Sequence, residues 1–384
     1  MTYADGLACA LCGRPADGAE ATSCGVCGGP TLVHYSAIPR DIEASPGETG
    51  LWRYSAWLPR TDGVQPVSLG EGATPLVRLG RWAEQIGLAE VYAKLEYAGP
   101  TGSFKDRGSS VLLTHAMVVG ATQLVEDSSG NAGASIAAYA ARAGLACTIY
   151  APAAAPAGKL RQIAAYGAQL VPIEGTRENV AEAAMAAARE PGTYYAGHNT
   201  NPYFVEGTKT LAFELVEAFG MRAPAHVVMP VGGGSLLWGC ALGFSQWQQA
   251  DICDHVPKLH AIQSTGCMPL AAAYAQGADE PSPVSRHPTV AGGITIEHPA
   301  RGRLILRSLR ESGGSALAVA DDEILQAQQR LASLEGIFVE PTAAAAFAGL
   351  ARLAARGVVK PNESVVVAVT GSGLKDPDAL DLWP

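Results

Sequence analysis

From about residue 90 onward the chain alternates two kinds of apolar run. Short stretches rich in β-branched residues read as strands: VYAKLEY (91–97), TQLVED (122–127), ACTIYAP (146–152), QLVPIEG (169–175), HVVMPVG (226–232), KLHAIQS (258–264) and SVVVAVTG (364–371). Longer Ala- and Leu-rich runs with apolar positions three and four apart lie between them and predict helices. They include SSVLLTHAMVVG, AGASIAAYAARAG, PAGKLRQIAAYG, ENVAEAAMAAARE, GTKTLAFELVEAFG, SLLWGCALGFSQW, ARGRLILRSLRE, DEILQAQQRLASLEG and PTAAAAFAGLARLAARG. Glycine or proline stands at most junctions, so the pattern predicts parallel βαβ units and an α/β fold. A Trp-, Pro- and Arg-containing connector covers residues 36–75, and QGADEPSPVSRHPTVAGG predicts a surface loop.

At 384 residues and 48% hydrophobic content the chain exceeds one ordinary core, and it predicts two α/β domains plus an appendage. The formal charge of −9, with no long Lys/Arg run, argues against nucleic-acid and anionic-membrane partners and for a small molecule. No stretch approaches the roughly 20 apolar residues that span a bilayer, and MTYADGLACALCGRP lacks a basic leader with an apolar core. The expectation is a soluble, cytoplasmic protein.

Four of eight cysteines cluster in CALCGRPADGAEATSCGVCGG, where Cys9, Cys12, Cys24 and Cys27 form two C-x2-C knuckles, each followed by glycine. Such knuckles let neighbouring thiolates reach one tetrahedral ion, and four thiolates leave no open position, so a structural zinc ion is expected rather than a catalytic one. Two disulfides are the alternative, disfavoured in the cytoplasm. So short a segment has little core, and metal would supply much of its folding free energy.

Three predicted strand ends run into glycine-containing loops: EDSSGNAGAS (126–135), PVGGGSLLWG (230–239) and VAVTGSGLKD (367–376). In open parallel sheets ligands sit outside such ends, where helix N-termini present backbone N–H groups to anions. Gly232, Gly233, Gly234 and Ser235 suit a phosphate, but the third glycine position of a dinucleotide fingerprint is Leu237. GPTGSFKDRG (99–108) is not a P-loop either, because Lys105 follows Phe104. A charged lysine at a helix start costs roughly 0.3–1 kcal/mol against the macrodipole. Either Asp106 offsets this in a solvated pair, or Lys105 forms a Schiff base with pyridoxal phosphate (PLP) whose phosphate goes to the glycine loop.

Taken in order, GPTGSFKDRG, SSGNAGAS, PVGGGS and VTGSGLKD resemble the fold type II, tryptophan synthase β-like PLP enzymes, and most closely the threonine synthases. LGEGATPL (69–76), GKLRQIAAYGAQL, NPYFVEGTKT (201–210) and EGIFVEPTAAAAFAGL (335–350) extend the resemblance from about residue 67 to the end. It implies two three-layer parallel-sheet α/β domains, at 37–195 and 196–384, behind a zinc-ribbon-like segment at 1–36, and usually a homodimer. By this resemblance Lys105 holds PLP and shuttles protons, and Asn131 bonds the ring hydroxyl. Gly232, Gly233, Gly234 and Ser235 hold the phosphate, and Thr370 bonds the pyridine nitrogen. A neutral hydroxyl there makes the ring a weaker electron sink than a carboxylate would. Ser128, Ser129 and the helix N-terminus behind Asn131 would take an amino acid's carboxylate.

The activity implied is conversion of O-phospho-L-homoserine and water to L-threonine and phosphate. The leaving phosphate calls for a second anion site, with Ser103, Arg107, Arg161 and Asn201 as candidates, and Lys159 and Lys209 beside them. The loop departs from the family's S-T-G-N by Ser129, and PVGGGS also resembles serine/threonine dehydratases. β-Elimination or β-replacement on serine, threonine or O-phosphoserine is therefore the alternative, as is a specialised-pathway homologue acting on a related phosphorylated amino acid.

Overall fold

The computed structural model describes residues 4–18, 20–40, 49–155 and 157–383. Its strands in chain order are β1 (Ala4–Cys9), β2 (Thr31–Tyr35), β3 (Leu76–Arg78), β4 (Val91–Lys94), β5 (Gln123–Glu126), β6 (Ala146–Pro152), β7 (Gln169–Ile173), β8 (Thr193–Tyr195), β9 (His226–Pro230), β10 (Lys258–Ser264), β11 (Ser315–Val319) and β12 (Val365–Ala368). Every strand and helix predicted from periodicity forms. The predicted helix 207–220 is divided into Pro202–Thr208 and Thr210–Ala218. The elements not foreseen are short, such as β8 and the helix Gly80–Gln85, and offer too few residues for a period to show.

The chain folds into two compact units. The first comprises the chain up to Ala73 and Gly99–Thr210, the second Thr74–Ala98 and the chain from Leu211 on. This differs from the expected single division at 195/196, for two physical reasons. β4 pairs in parallel with β12, Val91 opposite Val365 through Lys94 opposite Ala368, so it belongs to the second unit's sheet. The helix Pro202–Thr208 stays with the first unit because it packs closely on the helix Lys105–Val118: a Cβ on Gly207 would fall 1.9 Å from the Arg107 carbonyl oxygen.

In the first unit β7-β6-β5-β8 form an all-parallel sheet, and β1 and β2 make a separate antiparallel pair. Leu112, Leu124, Ile136, Tyr139, Tyr194 and Phe204 meet in its core. In the second unit the sheet order is β11-β10-β9-β12-β4-β3, parallel except for β3. Val91, Val228, Val365 and Val367 pack there with Ala343–Phe347 and Leu350 of the helix Pro341–Ala355. Each fully buried Val or Leu contributes about 1.5–3 kcal/mol, and the alanines let the helix approach the strands closely. Among the described residues no helix is long and apolar enough to cross a membrane.

Candidate functional site

Lys105 is the first residue of the helix Lys105–Val118. Its Nζ lies 4.6 Å from the Phe104 ring centroid and 5.7 Å from that of Phe204. Asp106 does not form the solvated pair considered above. It is buried, and its carboxylate accepts from the Thr101 amide (2.8 Å), the Thr101 hydroxyl (2.5 Å) and the Ser135 hydroxyl (2.7 Å). Burial pushes the Asp106 carboxyl up to about 6, against the lowering effect of those hydrogen bonds. Ser103, two residues before Lys105, is fully buried, and its Oγ has no hydrogen-bond partner among the described residues. A buried hydroxyl without a partner costs about 1–3 kcal/mol. A ligand that bonds it recovers that cost.

The loop after β5 is shaped by backbone contacts. Gly130 N–H donates to Ser128 Oγ at 3.3 Å, and Asn131 begins the helix Asn131–Ala143. A Cβ on Gly133 would lie 1.9 Å from the Ser128 carbonyl oxygen, so only glycine permits this turn. Ser128, Ser129 and Asn131 are all partly exposed, as an anion-accepting helix start requires.

Sequence reasoning missed two acidic residues directly before this loop. Glu126 is fully buried, with Oε1 2.8 Å from His198 Nδ1, and Asp127 pairs with Arg177 at 2.6 Å. Burial, then the Asp127 charge, raises Glu126 well above the ordinary carboxylate range. The available signal was two successive acids at the end of an apolar strand, where a solvated turn was the simpler expectation.

The substrate-side candidates divide. Arg107 is buried, 1% exposed, and its Nη1 donates to Thr210 Oγ1 at 3.0 Å. Asn201 caps the helix Pro202–Thr208: Oδ1 accepts from the Tyr203 amide (2.9 Å) and Nδ2 donates to Tyr194 Oη (2.8 Å). Lys209 is fully buried, bonded to Glu206 and to Tyr35 Oη. All three have internal partners that a bound phosphate would have to share or displace, which makes them less open than Arg161. Arg161 is exposed on the helix Ala157–Ala165, and the side chain of Lys159 lies outside the described residues.

In the second unit, Gly232, Gly233 and Gly234 join β9 to the helix Ser235–Gln249. Gly234 has φ +81°, and a Cβ there would lie 2.0 Å from Ile305 Cδ1; one on Gly232 would meet Ile294 Cα at 3.0 Å. The loop is therefore a backbone cradle at a helix N-terminus, of the kind that binds phosphate. Thr370, just past β12, is 3% exposed, and its Oγ1 has no hydrogen-bond partner among the described residues. The cradle and the orphaned hydroxyl fit a phosphorylated cofactor with a ring nitrogen.

The four N-terminal cysteine sulfurs lie within 4.8 Å of one another. Cys9–Cys27, Cys12–Cys27 and Cys12–Cys24 are separated by 3.4, 3.6 and 3.8 Å. A tetrahedron with zinc–sulfur bonds of ~2.3 Å has edges of ~3.8 Å, whereas a disulfide is ~2.05 Å. Burial raises the Cys9 thiol, but the amides of Cys12 and Leu11 outweigh it and bring it down to about 6, whereas Cys27, although the Gly29 amide lowers it, is pushed up to about 12 by its hydrogen bonds to Cys9 and Cys12.

Comparison with known proteins gives concordant findings. A family model described as pyridoxal-phosphate dependent enzyme matches residues 67–371. The threonine synthase of Methanocaldococcus jannaschii is 37% identical, over 97% of this chain and 93% of that protein. That of Mycobacterium tuberculosis is 37% identical, over 89% and 92%. Among solved structures, the processed threonine deaminase isoform 2 of Solanum lycopersicum superposes with TM-score 0.70 at 21% identity, covering 91% of this chain and 93% of that one. Serine racemase from Dictyostelium discoideum gives 0.66 at 23%, over 78% and 92%. These likenesses carry the fold type II architecture.

Proposed function

Since the chain belongs to the pyridoxal-phosphate dependent enzyme family and is a PLP-dependent lyase, we propose that its reaction is that of a threonine synthase. O-Phospho-L-homoserine and water would give L-threonine and phosphate. The observation that carries this reading is the 37% identity to a threonine synthase over 97% of the chain.

Bound PLP supplies an electron sink for charge at the substrate's Cα. This chain's residues do the rest. Lys105 Nζ is the covalent attachment point and, once freed, the base that removes the Cα proton. Asn131 bonds the cofactor's ring hydroxyl, the Gly232–Gly234 backbone and Ser235 hold its phosphate, and Thr370 Oγ1 meets the pyridine nitrogen. Ser128 and Ser129, with the helix start at Asn131, orient the substrate carboxylate. Ser103 offers a neutral donor to the substrate. Arg161 is the most exposed of the sequence candidates for its phosphate, which also include Arg107 and Asn201. In the N-terminal segment Cys9, Cys12, Cys24 and Cys27 hold one structural zinc ion.

Borohydride reduction of the holoenzyme followed by peptide mapping should place a pyridoxyl adduct on Lys105. Phosphate release from phosphohomoserine should exceed keto-acid formation from serine or threonine. Rapid keto acid without phosphate release would assign the chain to the dehydratase-like alternative.

A further inference from the structure

Glu126 ends β5 and leads directly into the Ser128–Asn131 loop, yet none of the roles above uses it. It is fully buried, with one carboxyl oxygen 2.8 Å from His198 Nδ1 and the other buried without a hydrogen-bond partner among the described residues. A carboxyl group so placed is costly to keep, unlike a solvated one. The His198 ring packs edge-on against Phe204, centroids 5.7 Å apart, and Lys105 Nζ lies 5.7 Å from the centroid of that same ring. The Glu126–His198 pair and the lysine thus share one aromatic neighbour within the first unit.

The charged and titratable groups facing Glu126 are Asp127 at the same strand end, Arg177 on the helix Arg177–Ala187, Lys105, His198, Cys147 on β6 and Tyr195 on β8. Asp127 is occupied by Arg177, which leaves Lys105 as the cation whose charge changes during turnover.

We propose that Glu126 and His198 form a positioning pair that sets the proton affinity of Lys105. This rests on the reading of Lys105 as anchor and base. When Lys105 takes the Cα proton, the C–H bond breaks, an N–H bond forms at Nζ, and a positive charge appears there. That charge draws Glu126, which burial otherwise holds well above the ordinary carboxylate range, toward its ionised form, and the carboxylate in turn stabilises the ammonium while His198 Nδ1 holds Oε1 in place. Each of two opposite charges shifts the other's titration toward the charged form.

The test follows cofactor absorbance and kcat against pH in wild-type, Glu126→Gln, Glu126→Asp and His198→Gln holoenzymes. In Glu126→Gln the Lys105-linked midpoint should fall by about one pH unit. Glu126→Asp should recover most of it, and His198→Gln should shift less, in the same direction. Midpoints unchanged in both Glu126→Gln and His198→Gln would overturn the proposal. Should Glu126→Gln fail to fold, the His198→Gln midpoint decides alone, a fall supporting the pair and no change refuting it. Absence of the Lys105 adduct in the wild-type protein would instead defeat the reading of Lys105 itself.

Discussion

The carboxylate of Asp106 accepts both the amide and the hydroxyl of Thr101, at 2.8 and 2.5 Å, and so closes the turn that carries Ser103, Phe104 and Lys105. The residue beside the lysine shapes the loop and leaves the ammonium to other groups. Asp106→Ala would take the acceptor from the Thr101 amide and hydroxyl in a buried place, at a cost of about 1–3 kcal/mol, whereas the Ser135 hydroxyl keeps Ser109 Oγ at 2.7 Å. Denaturant midpoints should show that loss. The kcat should fall further than stability alone explains, because the helix start that aims Lys105 loosens. An Asp106→Ala protein with wild-type stability and kcat would show that the turn does not position the lysine.

Thr370 gives a prediction with opposite signs in two states. Its buried Oγ1 is unbonded, so Thr370→Val removes an unsatisfied polar atom and should leave the cofactor-stripped protein as stable or slightly more so. The loaded protein should lose stability, because a hydrogen bond to the cofactor is lost, typically worth about 0.5–1.5 kcal/mol. Thermal melts with and without PLP separate the two effects. Equal changes in both states would exclude contact between Thr370 and the cofactor.

The candidate positions stand out because the patterns that carry them are local. A lysine at a helix start, a glycine run at a strand end and a strand end running into VTGSG each stand out within ten residues. The domain boundary was not readable, because β4 finds its partner β12 more than 250 residues away, and parallel pairing leaves no local mark. For Arg107, Asn201 and Lys209 the sequence displays a charge or amide but not its internal partners. For Asn201 the clue existed, since Asn followed by Pro is a helix-cap signature, and its amide is used there. Glu126 and His198 come together only through the fold.

Gly234→Ala tests the phosphate cradle. The substitution forces a side chain onto φ +81° and a methyl group to within 2.0 Å of Ile305 Cδ1. The strain is about 1–3 kcal/mol, and the loop must move to relieve it. PLP affinity measured by fluorescence titration should drop about tenfold or more, since 1.4 kcal/mol is a factor of ten. Unaltered affinity in Gly234→Ala would place the cofactor phosphate elsewhere.

The cysteine segment should bind about one zinc per chain and lose it on Cys12→Ser. Its strand β2 ends at Tyr35, whose hydroxyl bonds Glu206 and accepts from Lys209 Nζ at 3.0 Å. Metal loss should therefore loosen β2 and quicken hydrogen exchange in the helix Pro202–Thr208, which carries Glu206. Zinc content unchanged in Cys12→Ser would refute the four-thiolate site. Exchange confined to residues before Tyr35 would show that the segment is uncoupled from that helix.

At the start of the second unit's strands, Glu363, His226, His260 and Ser315 form one hydrogen-bonded chain, with contacts of 3.0, 2.9 and 2.8 Å. Burial, with His226 and Lys258 nearby, pulls His260 down to about 3, and burial also lowers His226. The folded protein therefore refuses protons that the unfolded chain takes up below about 6.5. Glu363 is held down to about 2: burial opposes this, but the Lys360 amide and His226 outweigh it. Its contribution is present above the ordinary carboxylate value and is lost as pH falls toward 2. Both effects have the same sign and contribute a decline with acidification from about pH 6.5, by about 1.4 kcal/mol per unit for each proton refused, while the raised carboxyls of Asp106 and Glu126 act in the opposite sense. His260→Gln removes one such proton and should flatten the decline between about pH 6 and pH 4. Urea midpoints measured across that window check it, and parallel slopes for the two proteins would show that His260 is not the neutral histidine described.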